Sequence, residues 1–136
     1  HTMLGAAMLK NLDSHKEDDL VTTAYEICRW HHERYDGKGY PDGLKGDEIP
    51  ISAQIVSLAD AYDKLTRDRV NKKGISHKEA VNILLHERAS EFNPILLECL
   101  EEIQGNISRA MQDGGRDLEV LNEGSAYKKM IEEAEE

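Results

Sequence analysis

The sequence predicts an all-α fold. Apolar residues recur at helical spacing in five separate stretches, and no stretch alternates apolar and polar as a half-buried strand does. The densest run of glycine and proline is confined to one segment, 36–50, which reads as a structured, turn-rich loop between two helices.

The elements follow in order. From Met3 to Leu12, the residues Leu4, Met8, Leu9 and Leu12 share a helical face. Asp13 to Asp19 is polar and reads as a loop. A second helix is expected from about Asp19 to Tyr35, with Leu20, Ala24, Ile27 and Cys28 on one stripe bordered by Trp30. Glycine tolerates positive φ and proline fixes φ, so Gly37, Gly39, Pro41, Gly43, Gly46 and Pro50 shape the loop that follows. Pro50 stands where a helix welcomes proline. A third helix is expected over about 51–66, with Ile55, Leu58, Ala59, Tyr62 and Leu65 periodic. Ser76 with Glu79 forms a capping box for a fourth helix reaching about Glu87. Asn93 and Pro94 open a fifth, with Ile95, Leu96, Leu100 and Ile103 apolar. Beyond Gly105 the pattern weakens, Gly114-Gly115 marks a break, and the last stretch is acidic.

The 136 residues suffice for one domain with one core. The net charge of −10 repels nucleic-acid backbones and anionic lipid, which argues against a non-specific DNA or RNA binder or a membrane-surface protein. A nucleotide ligand would need a local basic patch, and Lys64, Arg67, Arg69, Lys72 and Lys73 supply the best one. Cys28 and Cys99 have no metal-type spacing and read as reduced, packed thiols. No stretch has the length and apolarity of a signal peptide or membrane span, so the expected location is the cytoplasm.

Four features carry chemistry. His31 and His32 are adjacent on a helix, so their side chains diverge by about 100° and one helix end can face neighbouring metal ions. Alone, such a pair is more often two surface histidines than a metal site. Asp60 lies among Ile55, Val56, Leu58, Ala59 and Ala61, where a carboxylate needs a cation or hydrogen bonds if it is buried. Its other reading is an aspartate on the solvent face. Histidines with a carboxylate suit Mn, Fe, Ni or Zn better than Mg or Ca, and paired metals suit phosphoryl chemistry. The remaining two features are the Asp36-Gly37-Lys38-Gly39-Tyr40-Pro41 loop and His1.

The run HHERYDGKGYPDGLKGDEIP followed by AQIVSLADAYDKLTRDR closely resembles the HD-GYP family. That family shows His-His-Glu, Asp-Gly-x-Gly-Tyr-Pro, Leu-x-Gly, Ile-Pro, then Ala-Asp-x-x-Asp-x-Leu-Thr before an arginine. Every element is present here in order. HTMLGAAML resembles the family's His-x-x-x-Gly-x-x-x-Leu helix, and EFNP its Phe-x-Pro element.

The resemblance implies a metal-dependent phosphodiesterase of cyclic di-GMP. By position it makes His1, His31, His32 and Asp60 ligands of a two- or three-metal centre, with Fe, Mn or Ni the expected ions. Tyr40 then lies near the bound dinucleotide, and Arg69 and Lys72 hold its phosphates, the other reading of these two being a solvated charge run. Asn71 departs from the family's tyrosine, which weakens the match at Lys72. Glu33 and Asp36 are expected to orient histidines and loop rather than to ligate. Gly37, Gly39 and Pro41 are expected to shape the loop, through which some members contact diguanylate cyclase domains.

The family's His-Asp dyad, with a glycine and a lysine, lies upstream of the position that His1 matches, and this sequence contains no His-Asp pair. The fold expectation is therefore a helical bundle of the HD-superfamily type, truncated on its N-terminal side, with a long GYP loop. Residues 1–103 form the C-terminal part of the domain and 104–136 an acidic helix or tail. No catalytic residue falls within the chain, and hydrolysis by it alone should be absent or weak. An apolar face exposed by missing helices would favour a homodimer. Two other readings stand beside this one: a degenerate module for cyclic-dinucleotide sensing or protein interaction, and another HD-type phosphohydrolase of nucleotides, against which the GYP loop argues.

Overall fold

The computed structural model describes residues 1–11 and 19–112. Among these the long regular elements are helices and no strand is formed: α1 Thr2–Lys10, α2 Asp19–Trp30, α3 Ile51–Thr66, α4 His77–Asn82 and α5 Pro94–Gln112. The chain forms two compact units, His1–Asp63 with Ser90–Asn93, and Lys64–Ala89 with the chain from Pro94.

In the first unit α1 packs on α2. The expected apolar face of α1 is not the buried one. Thr2 and Ala6 are buried, whereas Met3, Leu4 and Met8 are exposed. Close helix approach explains the choice. A Cβ added at Gly5 would sit 3.5 Å from the Cys28 Sγ, so the small-residue face meets α2 and the bulky side chains are turned away. Leu12 lies outside the described residues.

Helix α2 ends at Trp30, five residues before the expected end. The Glu33 amide closes a tight turn onto the Trp30 carbonyl at 2.9 Å, and the Tyr40 amide returns to the His32 carbonyl at 3.2 Å. The loop thus draws its backbone bonds from residues that would otherwise have extended the helix. A short 3₁₀ turn, Gly46–Glu48, precedes α3.

On α3 the buried residues are Ala53, Gln54 and Ala61, while Ile55 is 42% exposed. Gln54 can be buried because its amide is satisfied. Its Nε2 donates to the Ile49 carbonyl at 2.7 Å, and its Oε1 accepts from Asn93 Nδ2 at 3.0 Å. The Tyr35 amide donates to the Glu91 carbonyl at 2.9 Å, which ties Ser90–Asn93 into this unit.

The second unit buries Ala80, Val81, Leu84, Leu96 and Leu100, with α4 packed on α5. The capping box is formed: Ser76 Oγ accepts from the Glu79 amide, and Glu79 Oε2 accepts from the Ser76 amide, both at 3.2 Å. Beyond Asn82 the helix widens into a π-turn, Ile83–Glu87, closed by the Arg88 amide on the Ile83 carbonyl at 2.9 Å. Helix α5 starts at Pro94 and passes through Gly105 without a break. The Gly114-Gly115 break and the acidic tail lie outside the described residues. No described helix is long and apolar enough to cross a membrane.

Candidate metal centre

The packing of α1 on α2 brings the first residue of the chain to the end of α2. His1, His31 and His32 each offer one ligand nitrogen, and these nitrogens lie within 4.8 Å of one another. The His1 and His32 Nε2 atoms are 2.9 Å apart. The His31 Nδ1 lies 2.7 Å from the Ile27 carbonyl. A carbonyl oxygen can only accept, so Nδ1 carries the proton and leaves the Nε2 lone pair free. Three converging imidazoles, one with its tautomer set by a backbone oxygen, make a donor set of the kind that suits a transition-metal ion. The chemistry of the residues fits such an ion.

Asp60 does not belong to this three-histidine group. It is half-buried on α3 and has partners of its own.

The GYP loop is built over the histidines. The Tyr40 ring stacks on the His32 ring, with centroids 5.0 Å apart and planes 25° from parallel, and the tyrosine is 54% exposed. The Tyr40–Pro41 peptide is cis. Gly37 has φ of +80°, which favours glycine. Gly39 meets a different requirement. A Cβ there would overlap the Arg34 amide and come within 2.6 Å of the Glu33 Cα and the His32 carbonyl oxygen.

Glu33 is 2% exposed and accepts three backbone bonds from the loop. Its Oε1 takes the Asp42 and Gly43 amides at 2.6 and 3.0 Å, and its Oε2 takes the Leu44 amide at 3.0 Å. The Asp36 carboxylate accepts from Arg34 Nε and Nη2 at 3.1 and 2.6 Å and from the Lys38 amide at 3.1 Å. The Arg34 bonds hold the Asp36 carboxyl below the usual carboxylate range. Both carboxylates are thus engaged by loop and arginine donors.

Arg69 and Lys72 belong to the second unit. Their backbones exchange two hydrogen bonds, Arg69 amide to Lys72 carbonyl at 2.7 Å and the reverse at 3.2 Å. This closes a two-residue turn, Val70-Asn71, and places both cationic residues at its exposed base.

Sequence reasoning missed Asp42. It accepts from Arg29 Nε and Nη2 at 2.9 and 3.0 Å and from Trp30 Nε1 at 2.7 Å. A separation of 12 and 13 residues across a loop leaves no periodic signal. The available clue was an acidic residue directly after Tyr-Pro.

Comparison with known proteins identifies the family. The family model described as HD domain matches residues 1–96. A Vibrio cholerae protein named "Probable cyclic di-GMP phosphodiesterase" is 45% identical over 101 residues, covering 73% of this chain and 23% of that protein. A second Vibrio cholerae relative, a "3'3'-cGAMP-specific phosphodiesterase 2", is 40% identical over 83 residues, 61% of this chain and 16% of the relative. The Xanthomonas campestris "Cyclic di-GMP phosphodiesterase response regulator RpfG" is 35% identical over 117 residues, 81% of this chain and 30% of the relative. The chain therefore spans less than a third of the length of these relatives. It belongs to the HD domain family, among relatives that are cyclic-dinucleotide phosphodiesterases of the HD-GYP type.

Proposed function

We propose that this chain contributes part of the metal cage and part of the phosphate clamp of a phosphodiesterase acting on cyclic di-GMP. The observation that carries the reading is the convergence of His1, His31 and His32 beneath a stacked Tyr40. His1, His31 and His32 hold a transition ion, Fe, Mn or Ni, and Asp60 supplies a further ligand. Ions held there activate water and stabilise charge developing on phosphoryl oxygens.

The chain's own groups have separable tasks. The Ile27 carbonyl keeps the His31 Nε2 free to ligate. Tyr40 restrains the His32 ring and offers its exposed face to the substrate. Glu33 and Asp36 hold the loop in place. Arg69 and Lys72 bind phosphate, arginine as a fork and lysine as a point charge. Hydrolysis by this chain alone is expected to be weak, because no His-Asp pair is present to add ligands. A cytoplasmic setting suits the unpaired thiols of Cys28 and Cys99. A second copy is expected to pack on the exposed Met3, Leu4, Met8 and Leu20, and the GYP loop is the surface for a diguanylate cyclase domain.

The test measures metal content and cyclic di-GMP hydrolysis together, on this chain and on a form extended upstream. Metal retention and cleavage by the longer form, both lost in His31→Ala, support the reading. Dinucleotide binding without cleavage under Mn, Fe or Ni replaces the enzyme with a sensor.

A further inference from the structure

We infer that Asp42 is a positioning residue: its carboxylate ties the GYP loop to the last turn of α2 and thereby holds the Tyr40 ring on His32. Asp42 lies two residues after Tyr40. Its Oδ1 and Oδ2 accept the parallel Nη2 and Nε bonds of Arg29, the fork geometry in which a guanidinium holds a carboxylate best. Oδ2 also accepts the indole N–H of Trp30. From the other side, the Asp42 amide donates to Glu33. One residue is thus gripped between the helical turn that leads into His31 and the carboxylate that follows His32.

The donors are themselves held. The Arg29 guanidinium carbon lies 5.8 Å from the centre of the Trp30 ring, and the Tyr25 ring meets Trp30 edge-on at 5.8 Å. Upstream of the clasp, the Tyr40 amide is fixed on the His32 carbonyl. With the backbone pinned at Tyr40 and Asp42, only Pro41 lies between the two pins, and the Cα from which the Tyr40 ring reaches His32 is held in place. An ion pair on a partly solvated surface adds little to stability. Cutting this one should move the ring more than it weakens the fold.

The catalytic consequence rests on the proposed roles of His32 and Tyr40; the positioning claim does not. The test records the His32 ring carbon–proton resonances by NMR. Tyr40→Leu supplies the shift without a stacked ring, and Asp42→Asn and Arg29→Gln each cut the clasp. A changed emission of Trp30, the chain's sole tryptophan, reports that the cut succeeded. The inference expects the His32 resonances in both clasp variants to move measurably toward their Tyr40→Leu position, with helical circular dichroism unchanged. Wild-type His32 shifts in a folded variant with altered Trp30 emission would overturn it. Should Asp42→Asn fail to fold, Arg29→Gln, which leaves the Trp30 bond in place, decides in the same way. In a form that hydrolyses cyclic di-GMP, KM should rise about tenfold in these variants with a smaller change in kcat. A wild-type protein that cleaves no cyclic dinucleotide would remove the functional reading and leave the His32 resonances to judge the clasp.

Discussion

Replacing Glu33 with glutamine keeps the shape of a buried side chain and removes one acceptor. The carboxylate serves three amides, two on Oε1 and one on Oε2. Glutamine has one oxygen. Its better orientation leaves that oxygen on the Asp42 and Gly43 amides and turns its NH₂ toward the Leu44 amide, donor against donor. The flipped orientation strands two amides and is worse. The change loses one charge-assisted bond, about 1.5–3 kcal/mol, and leaves a partly buried N–H unpaired, about 1–3 kcal/mol. The site is only part-buried at the loop, so the lower ends apply, for a total of about 2.5 kcal/mol. For a chain of this size that lowers Tm by about 10 °C. Urea unfolding gives the free energy, and amide exchange locates it, with Leu44 accelerated more than Asp42 and Gly43. A loss below about 1 kcal/mol, or uniform exchange across the three amides, would show that Glu33 does not hold the loop through three separate bonds.

Two further predictions concern the same loop. Gly39→Ala should cost about 3 kcal/mol, because the added Cβ meets backbone rather than a side chain that can move aside; thermal unfolding within about 1 kcal/mol of wild type would contradict this. Asp36 should stabilise the fold in a pH-dependent way. Its folded-state carboxyl is held below the usual range by Arg34, so the contribution is complete above the unfolded value of about 3.9 and is lost as pH falls through the folded value. Urea midpoints of wild type and Asp36→Asn should differ at neutral pH and converge in acid, whereas a gap that persists in acid would assign the difference to another cause.

Much of the architecture was legible. The capping box at Ser76, the proline at the start of α5 and the absence of strand alternation are local signals, and local signals survive folding. The misreadings share one cause: they depend on which surfaces meet. On α1 the pattern of large apolar residues pointed to Leu4 and Met8, yet a close helix pair needs small residues, so Thr2, Gly5 and Ala6 face inward. On α3 the buried face includes Gln54, because Ile49 and Asn93 complete its hydrogen bonds. The apolar pattern weakens beyond Gly105, yet α5 runs on to Gln112, since a helix bears an exposed glycine at about 1 kcal/mol. At the candidate site, adjacency made His31 and His32 visible. Their convergence with His1 depends on helix packing, and the Asp42 clasp spans a loop that no periodicity describes.

The proposed function turns on whether His1, His31 and His32 share a metal. The most direct measurement is a Zn²⁺ titration of this chain followed by histidine ¹⁵N NMR, zinc serving as a diamagnetic probe of an imidazole site. The structure predicts that His1, His31 and His32 respond together at one stoichiometry, with His31 bound through Nε2 because its Nδ1–H is engaged by Ile27, and that His77 and His86 do not follow. Independent responses of the three histidines to zinc, or a His31 bound through Nδ1, would rule out the shared site.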